Sequence, residues 1–117
     1  MLHKKVKDFE SVKINAGEKT SMQVLISDQI APNFAMRKFT IKPGGFMPLH
    51  TNLVEHEQFV LGGKAEVLIG NNKITVQKDD VVFIPAGVEH NYKTVGDEPF
   101  EFLCMVPNKE DKIKIVE

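Results

Sequence analysis

No stretch of this chain approaches the roughly 20 consecutive apolar residues that a membrane-crossing helix needs. The N-terminal run Met1-Leu2-His3-Lys4-Lys5-Val6-Lys7-Asp8 also lacks the apolar core of a signal peptide. A cytoplasmic protein with no membrane partner is therefore expected. Charge of one sign is missing too: 15 Lys and Arg stand against 16 Asp and Glu, for a formal net charge of −1, so nothing calls for a polyanion and no nucleic acid partner is expected. The one cysteine, Cys104, cannot form an intramolecular disulfide, which agrees with a reducing compartment. There is no internal repeat of short fixed period, no polar low-complexity tract and no long helical segment. Ser27-Asp28-Gln29-Ile30-Ala31-Pro32 is too short to build a substantial helix before its proline and reads as a loop or a single turn.

What is present suits one globular domain over residues 1–117, since 117 residues with a hydrophobic fraction of 42% are enough for one core. Turn-forming residues recur at intervals of roughly 8 to 18 residues: Pro43-Gly44-Gly45, Gly62-Gly63, Gly70-Asn71-Asn72, Asp79-Asp80, Pro85-Ala86-Gly87 and Gly96-Asp97-Glu98-Pro99. Between them lie β-favouring runs over 34–42, 57–61, 65–69, 73–77, 81–84 and 100–106. Several short strands separated by turns predict an all-β sandwich or barrel. The clearest local element is a hairpin in which Val67-Leu68-Ile69 turns through Gly70-Asn71-Asn72 into Ile74-Thr75-Val76. The barrel core is expected over about 20–106. Both ends carry apolar residues among lysines, and Lys112-Ile113-Lys114-Ile115-Val116 alternates briefly, as an edge strand or a strand exchanged with a partner subunit would.

Three of the four histidines, His50, His56 and His90, fall at or in these strands, whereas His3 lies near the N-terminus. A lone strand histidine is more often a packed residue than a ligand, so the argument rests on spacing. His50 and Asn52 are two apart and share a face of an extended segment, and His56 keeps the same even parity if the intervening turn preserves register. Val88-Glu89-His90-Asn91-Tyr92 supplies the closing histidine from a distant strand after the tight Pro85-Ala86-Gly87 turn. Glu57 is a substitute carboxylate, but alternation sends it to the face opposite His56. Gln58, Tyr92, Phe102 and Cys104 are candidates to line the pocket, with core packing as the commoner fate of each. Of Arg37 and Lys38, alternation turns at most one inward toward an anion, and solvent exposure is the ordinary fate of both.

These residues carry a resemblance. The segment from Gly44 through His50-Thr51-Asn52 to His56 and Gly62-Gly63 resembles the first motif of the cupin superfamily. The segment from Asp79 through Pro85-Ala86-Gly87 to His90 resembles the second, with Asp79 where a glycine ordinarily stands. The likeness runs from about Ala31 to Val106. It implies a double-stranded β-helix, the jelly-roll antiparallel barrel, of the RmlC-like single-domain kind with an all-histidine metal site. His50, His56 and His90 fall on three of its four ligands, and Asn52 stands where the second histidine of His-x-His is expected. An amide oxygen is a weaker neutral donor than imidazole for first-row transition metals, so the fourth position is weak or vacant.

The implied cofactor is one divalent transition metal, manganese or iron before zinc or nickel. The implied activity is that of a metal-dependent dioxygenase or isomerase acting on a small organic molecule. Two other readings stand beside it: a non-catalytic sensor or storage barrel, and a metal-free barrel resembling sugar epimerases in which His50 or His90 is a general base. Exposed strand edges and an exposed sheet face predict a homodimer.

Overall fold

A computed structural model describes all of Met1–Glu117. Apart from a single 3₁₀ turn at Val6–Asp8, every regular element is a strand: β1 (Val12–Lys13), β2 (Glu18–Ile26), β3 (Phe34–Thr51), β4 (His56–Gly62), β5 (Lys64–Ile69), β6 (Asn72–Gln77), β7 (Val81–Ile84), β8 (His90–Val95), β9 (Phe100–Pro107) and β10 (Lys114–Ile115). All pairings are antiparallel in one sheet of order β6-β5-β8-β3-β9-β4-β7, with β2 and β10 added on β3 and β1 on β2. The sheet curls so that β4 comes against β6, closing the jelly-roll barrel expected from the sequence.

The strand β3 makes this closure. Its first half pairs with β9 over Phe34 to Ile41, and its second half pairs with β8 from Phe46 to His50, so one strand passes from one half of the barrel to the other. Pro43-Gly44-Gly45, read from sequence as a break, is instead the bend within this strand. Gly44 has φ +82°, which an L side chain rarely adopts, and a Cβ on Gly45 would lie 2.6 Å from the Glu18 carbonyl oxygen. The hairpin β5–β6 forms with Ile69 opposite Asn72 and Val67 opposite Ile74. Ser27 to Pro32 is a turn, as expected.

Alternation fills the interior. Phe100, Phe102, Cys104 and Val106 of β9, His56, Gln58 and Val60 of β4, and His90, Tyr92 and Thr94 of β8 are all buried, while their neighbours are not. A cluster of 14 buried residues including Ile41, Val60, Val67, Ile84, Phe100 and Phe102 forms the core. At about 25 cal/mol per Å² of buried apolar surface it is the main favourable term in folding. Both chain ends fold onto their own sheet: β1 lies on β2, and β10 places Ile115 opposite His50.

Candidate functional site

At one end of the barrel, three strands each contribute a histidine. His50 ends β3, His56 begins β4 and His90 begins β8, and the β3–β8 register sets His50 directly opposite His90. Their rings stand 4.1 Å apart between centroids, and His56 is 5.7 Å from His90. The loops carrying them are tied together, since the Gly87 amide, at φ +79°, donates to the Asn52 carbonyl at 2.9 Å. All three imidazoles are buried.

The tautomers follow from the hydrogen bonds. His50 Nδ1 lies 2.7 Å from the Pro48 carbonyl and His90 Nδ1 lies 2.9 Å from the Val88 carbonyl, each two residues upstream. A carbonyl only accepts, so both Nδ1 atoms carry the proton and both Nε2 atoms present lone pairs. His56 Nδ1 faces Cys104 Sγ at 3.1 Å and Arg37 Nη2 at 3.4 Å. In the same Nδ1–H tautomer it donates to the sulfur, which also receives Arg37 Nη2 at 3.3 Å and Gln58 Nε2 at 3.7 Å. His56 Nε2 is then a buried acceptor with no donor.

Burial keeps the set neutral. It lowers the His56 pKa to about 3, helped by the Arg37 guanidinium and by His90. It lowers His90 to about 4 against the opposing pull of the Val88 carbonyl, and it lowers His50 against its bond to Pro48 and the charge of Asp111. Neutral imidazole is the ligating form. Burial also pushes the Tyr92 phenol and the Cys104 thiol up, so both stay protonated at pH 7.

Asn52 lines the same cavity as the three histidines. Its Nδ2 donates to Asp111 Oδ2 at 3.2 Å, and because a carboxylate accepts only, the amide orientation is fixed. Asp111 is itself held by the Leu53 and Lys112 amides, each at 2.8 Å. Asn52 Oδ1 is left buried without a partner. In the whole molecule only three buried side-chain polar atoms lack a partner, Asn52 Oδ1, His56 Nε2 and Arg37 Nε, and all three residues line one cavity. Native interiors rarely leave such groups unpaired, so their gathering in one place marks a binding site. The donor chemistry, three imidazole nitrogens and an amide oxygen, fits a divalent transition metal. As the side chains stand, no group of three His, Cys, Asp or Glu residues is disposed to hold an ion, so the three imidazoles would have to draw together around one.

The cavity has a volume of about 260 Å³. His50, Asn52, His56, His90, Gln58, Tyr92 and Phe102 all line it, and Phe39 and Met47 complete its apolar wall. Gln58 Nε2 donates to Tyr92 Oη at 2.7 Å. Cys104 departs from expectation: it is fully buried behind His56 and does not line the cavity. Glu57 faces outward beside Glu55, whose hydrogen bond, ahead of partial burial, pushes its carboxyl up to about 7. Of the pair Arg37 and Lys38, Arg37 turns inward and Lys38 pairs with Glu101 on the outer face at 2.9 Å. Sequence reasoning missed Asp111 and the closure of the cavity by Ile14, Ala16, Met22 and Ile113 from the two chain ends. No spacing rule links position 111 to position 52, and only the tertiary path of the tail brings them together.

The family model described as Cupin domain matches residues 37–106. A 1-methylthio-D-xylulose 5-phosphate methylsulfurylase from Rhodospirillum rubrum is 32% identical over 77 residues, 66% of this chain and 49% of that protein. The chain spans half or less of the length of the curated relatives it matches. Among solved structures, the polyketide cyclase RemF from Streptomyces resistomycificus superposes with a TM-score of 0.91 at 24% identity, covering 100% of this chain and 86% of that one. At that identity the likeness is one of fold. A cupin-2 domain from Rhodospirillum rubrum superposes with a TM-score of 0.84 at 26% identity, covering 100% of this chain and 80% of the other.

Proposed function

Since this chain belongs to the cupin family, we propose that its barrel binds one divalent transition metal, manganese or iron ahead of zinc or nickel, and acts as a metal-dependent enzyme on a small organic molecule. His50, His56 and His90 hold the ion through Nε2, and Asn52 Oδ1 takes the fourth position. The observation that carries this reading is the pair of orphaned buried acceptors, His56 Nε2 and Asn52 Oδ1, in the same cavity as the free Nε2 atoms of His50 and His90. A bound ion there supplies Lewis-acid polarisation or, with iron or manganese, a one-electron change.

The chain's own residues do the rest. Phe39, Met47 and Phe102 exclude water and present apolar surface to the ligand. Tyr92 Oη, accepting from Gln58 Nε2, keeps its own proton to donate. The dioxygenase or isomerase type is favoured because an ion held by so few protein ligands would keep exchangeable positions for an enolate, a carboxylate or oxygen. The methylsulfurylase and the polyketide cyclase bear names of different chemistries, and one fold hosts many reactions, so this reading rests on the donor set. A second reading, a sensor or storage barrel without turnover, is favoured by the neutral Asn52 amide in a histidine's place.

Elemental analysis of untagged protein, incubated separately with manganese, iron, zinc and nickel, is the test. About one ion per chain, lost in His90→Ala, is the expected result. A content well below one with all four metals overturns the reading.

We also propose that the protein is a homodimer. Val81 and Phe83 of β7 are 78% and 54% exposed, and across β4 they meet Phe59, Leu61 and Glu57 on the outer sheet face, which continues through Leu103 and Met105 to the exposed Phe34. A second copy of this face is its occupant, since a contiguous apolar sheet surface of this kind is uncommon on a monomer.

A further inference from the structure

Arg37 is the one strong cation in the cavity, and nothing in the fold neutralises it. Only two ion pairs form in the molecule, Lys38–Glu101 and Lys73–Glu66, and neither involves Arg37. No Asp or Glu lines the cavity. Asp28 and Asp111 face the adjoining cleft that Arg37 also borders; neither forms an ion pair with it, and Asp111 is committed to Asn52, Leu53 and Lys112. The guanidinium rests against the Phe39 ring, 5.0 Å from its centroid, and gives one nitrogen to the Cys104 sulfur, a weak acceptor for a full charge, while His56 Nδ1, protonated and 3.4 Å away, accepts nothing from it. Its Nε–H is buried with no acceptor at all. A part-buried cation with an idle donor is costly unless a ligand completes it.

We propose that Arg37 is the anchor for a carboxylate-bearing ligand, held with its apolar body against Phe39 and Phe102 and its carboxylate on the guanidinium. This rests on the reading that the histidine-lined cavity is the ligand site. A planar fork of donors matches a carboxylate edge to edge. A phosphate dianion is disfavoured, because the cavity offers one cation only, without a lysine or a helix N-terminus to share the second charge. The Phe39 and Phe102 rings stack on each other, 5.2 Å between centroids and 13° between planes, so the apolar wall beside Arg37 is a packed aromatic pair.

The experiment uses metal-free protein with benzoate as probe, benzyl alcohol and benzamide as neutral counterparts and inorganic phosphate as competitor. Calorimetry gives the affinities, and the ¹H–¹⁵Nε resonance of Arg37 reports the contact directly. Benzoate is expected to shift that resonance and to bind more tightly than either neutral counterpart. Arg37→Met is expected to weaken benzoate binding roughly 10- to 100-fold, with Arg37→Lys recovering part of the loss and the neutral counterparts unaffected. Benzoate bound equally by Arg37→Met, no benzoate binding by wild type at millimolar concentration, or tighter binding of phosphate than of benzoate each overturns the proposal. If Arg37→Met fails to fold, an unmoved Nε resonance or an absent preference for benzoate over benzamide in wild type does so. Metal content is scored separately: benzoate held by Arg37 in protein that takes up no metal overturns the metal reading and leaves this one standing.

Discussion

If Asn52 is a ligand, Asp111 is its positioning residue, and removing it has a calculable effect. Asp111 holds the Asn52 amide at 3.2 Å and the Leu53 amide at 2.8 Å. In Asp111→Ala the Asn52 side chain is free to rotate, and half of its orientations turn the NH₂ group, a donor, toward the cation site. Loss of an outer partner of this kind typically costs 10- to 100-fold in metal affinity, about 1.4–2.7 kcal/mol. The loss of bonds at this exposed position is expected to cost the fold no more than about 2 kcal/mol, so the variant remains folded. Competition against a chelating dye with manganese or zinc measures the affinity of wild type, Asp111→Ala, Asn52→Ala and the double variant. Because Asp111 acts through Asn52, the double variant should bind no worse than Asn52→Ala alone. A further loss of more than about threefold on adding Asp111→Ala to Asn52→Ala, persisting at high salt where the charge of Asp111 is screened, refutes the reasoning.

Asn52→His restores an imidazole in the fourth position and should tighten transition-metal binding by about tenfold or more, read by the same dye; an unchanged affinity shows that position 52 does not reach the ion. Metal-free protein should lose stability as pH falls below about 6.5. The unfolded histidines protonate there, while folded His90 and His56 resist down to about 4 and 3, so the unfolded state binds more protons throughout that window. The expected slope is about 1.4 kcal/mol per pH unit per histidine in urea titrations, and His56→Gln should remove one share of it; a wild-type curve flat from pH 6.5 to 4.5 contradicts the burial argument. Light scattering should give twice the 13.2 kDa chain mass, and Phe83→Glu, on the edge strand β7 of the exposed face, should return the monomer with the barrel intact; a wild-type monomer at micromolar concentration removes the dimer.

The sequence revealed the elements that keep strict alternation and hid those that break it. In β9 the buried positions are Phe100, Phe102, Cys104 and Val106, a period of two, and that run was legible. In β2 the buried positions are Thr20 and Leu25, an odd separation, because the register shift between Val24 and Ile26 flips the faces. No period-two template finds such a strand. The same device acts at the site. Met47 and His50 are both buried although they are three positions apart, because the register shifts between them, and this shift is what turns His50 inward to face His90. The parity argument for His50 and Asn52 works only downstream of that shift. His56, reached through a loop and on a different strand, gets its inward position from β4 pairing with β7 and β9 rather than from parity with His50.

The path of the tail and the unpaired state of Arg37 are of another kind, for each is a fact about absent or distant partners. A sequence shows that Arg37 and Lys38 face opposite ways; it does not show that Glu101 stands opposite Lys38 and that no carboxylate stands opposite Arg37. That asymmetry places the Lys38 charge in an ion pair on the outer face and leaves the Arg37 charge beside the histidines. There it helps to hold His56 neutral and hence able to ligate. A single residue thus serves both halves of the site. Its cation disfavours protonation of His56, the nearest of the proposed ligands, and its idle Nε–H is the donor that the proposed carboxylate would meet.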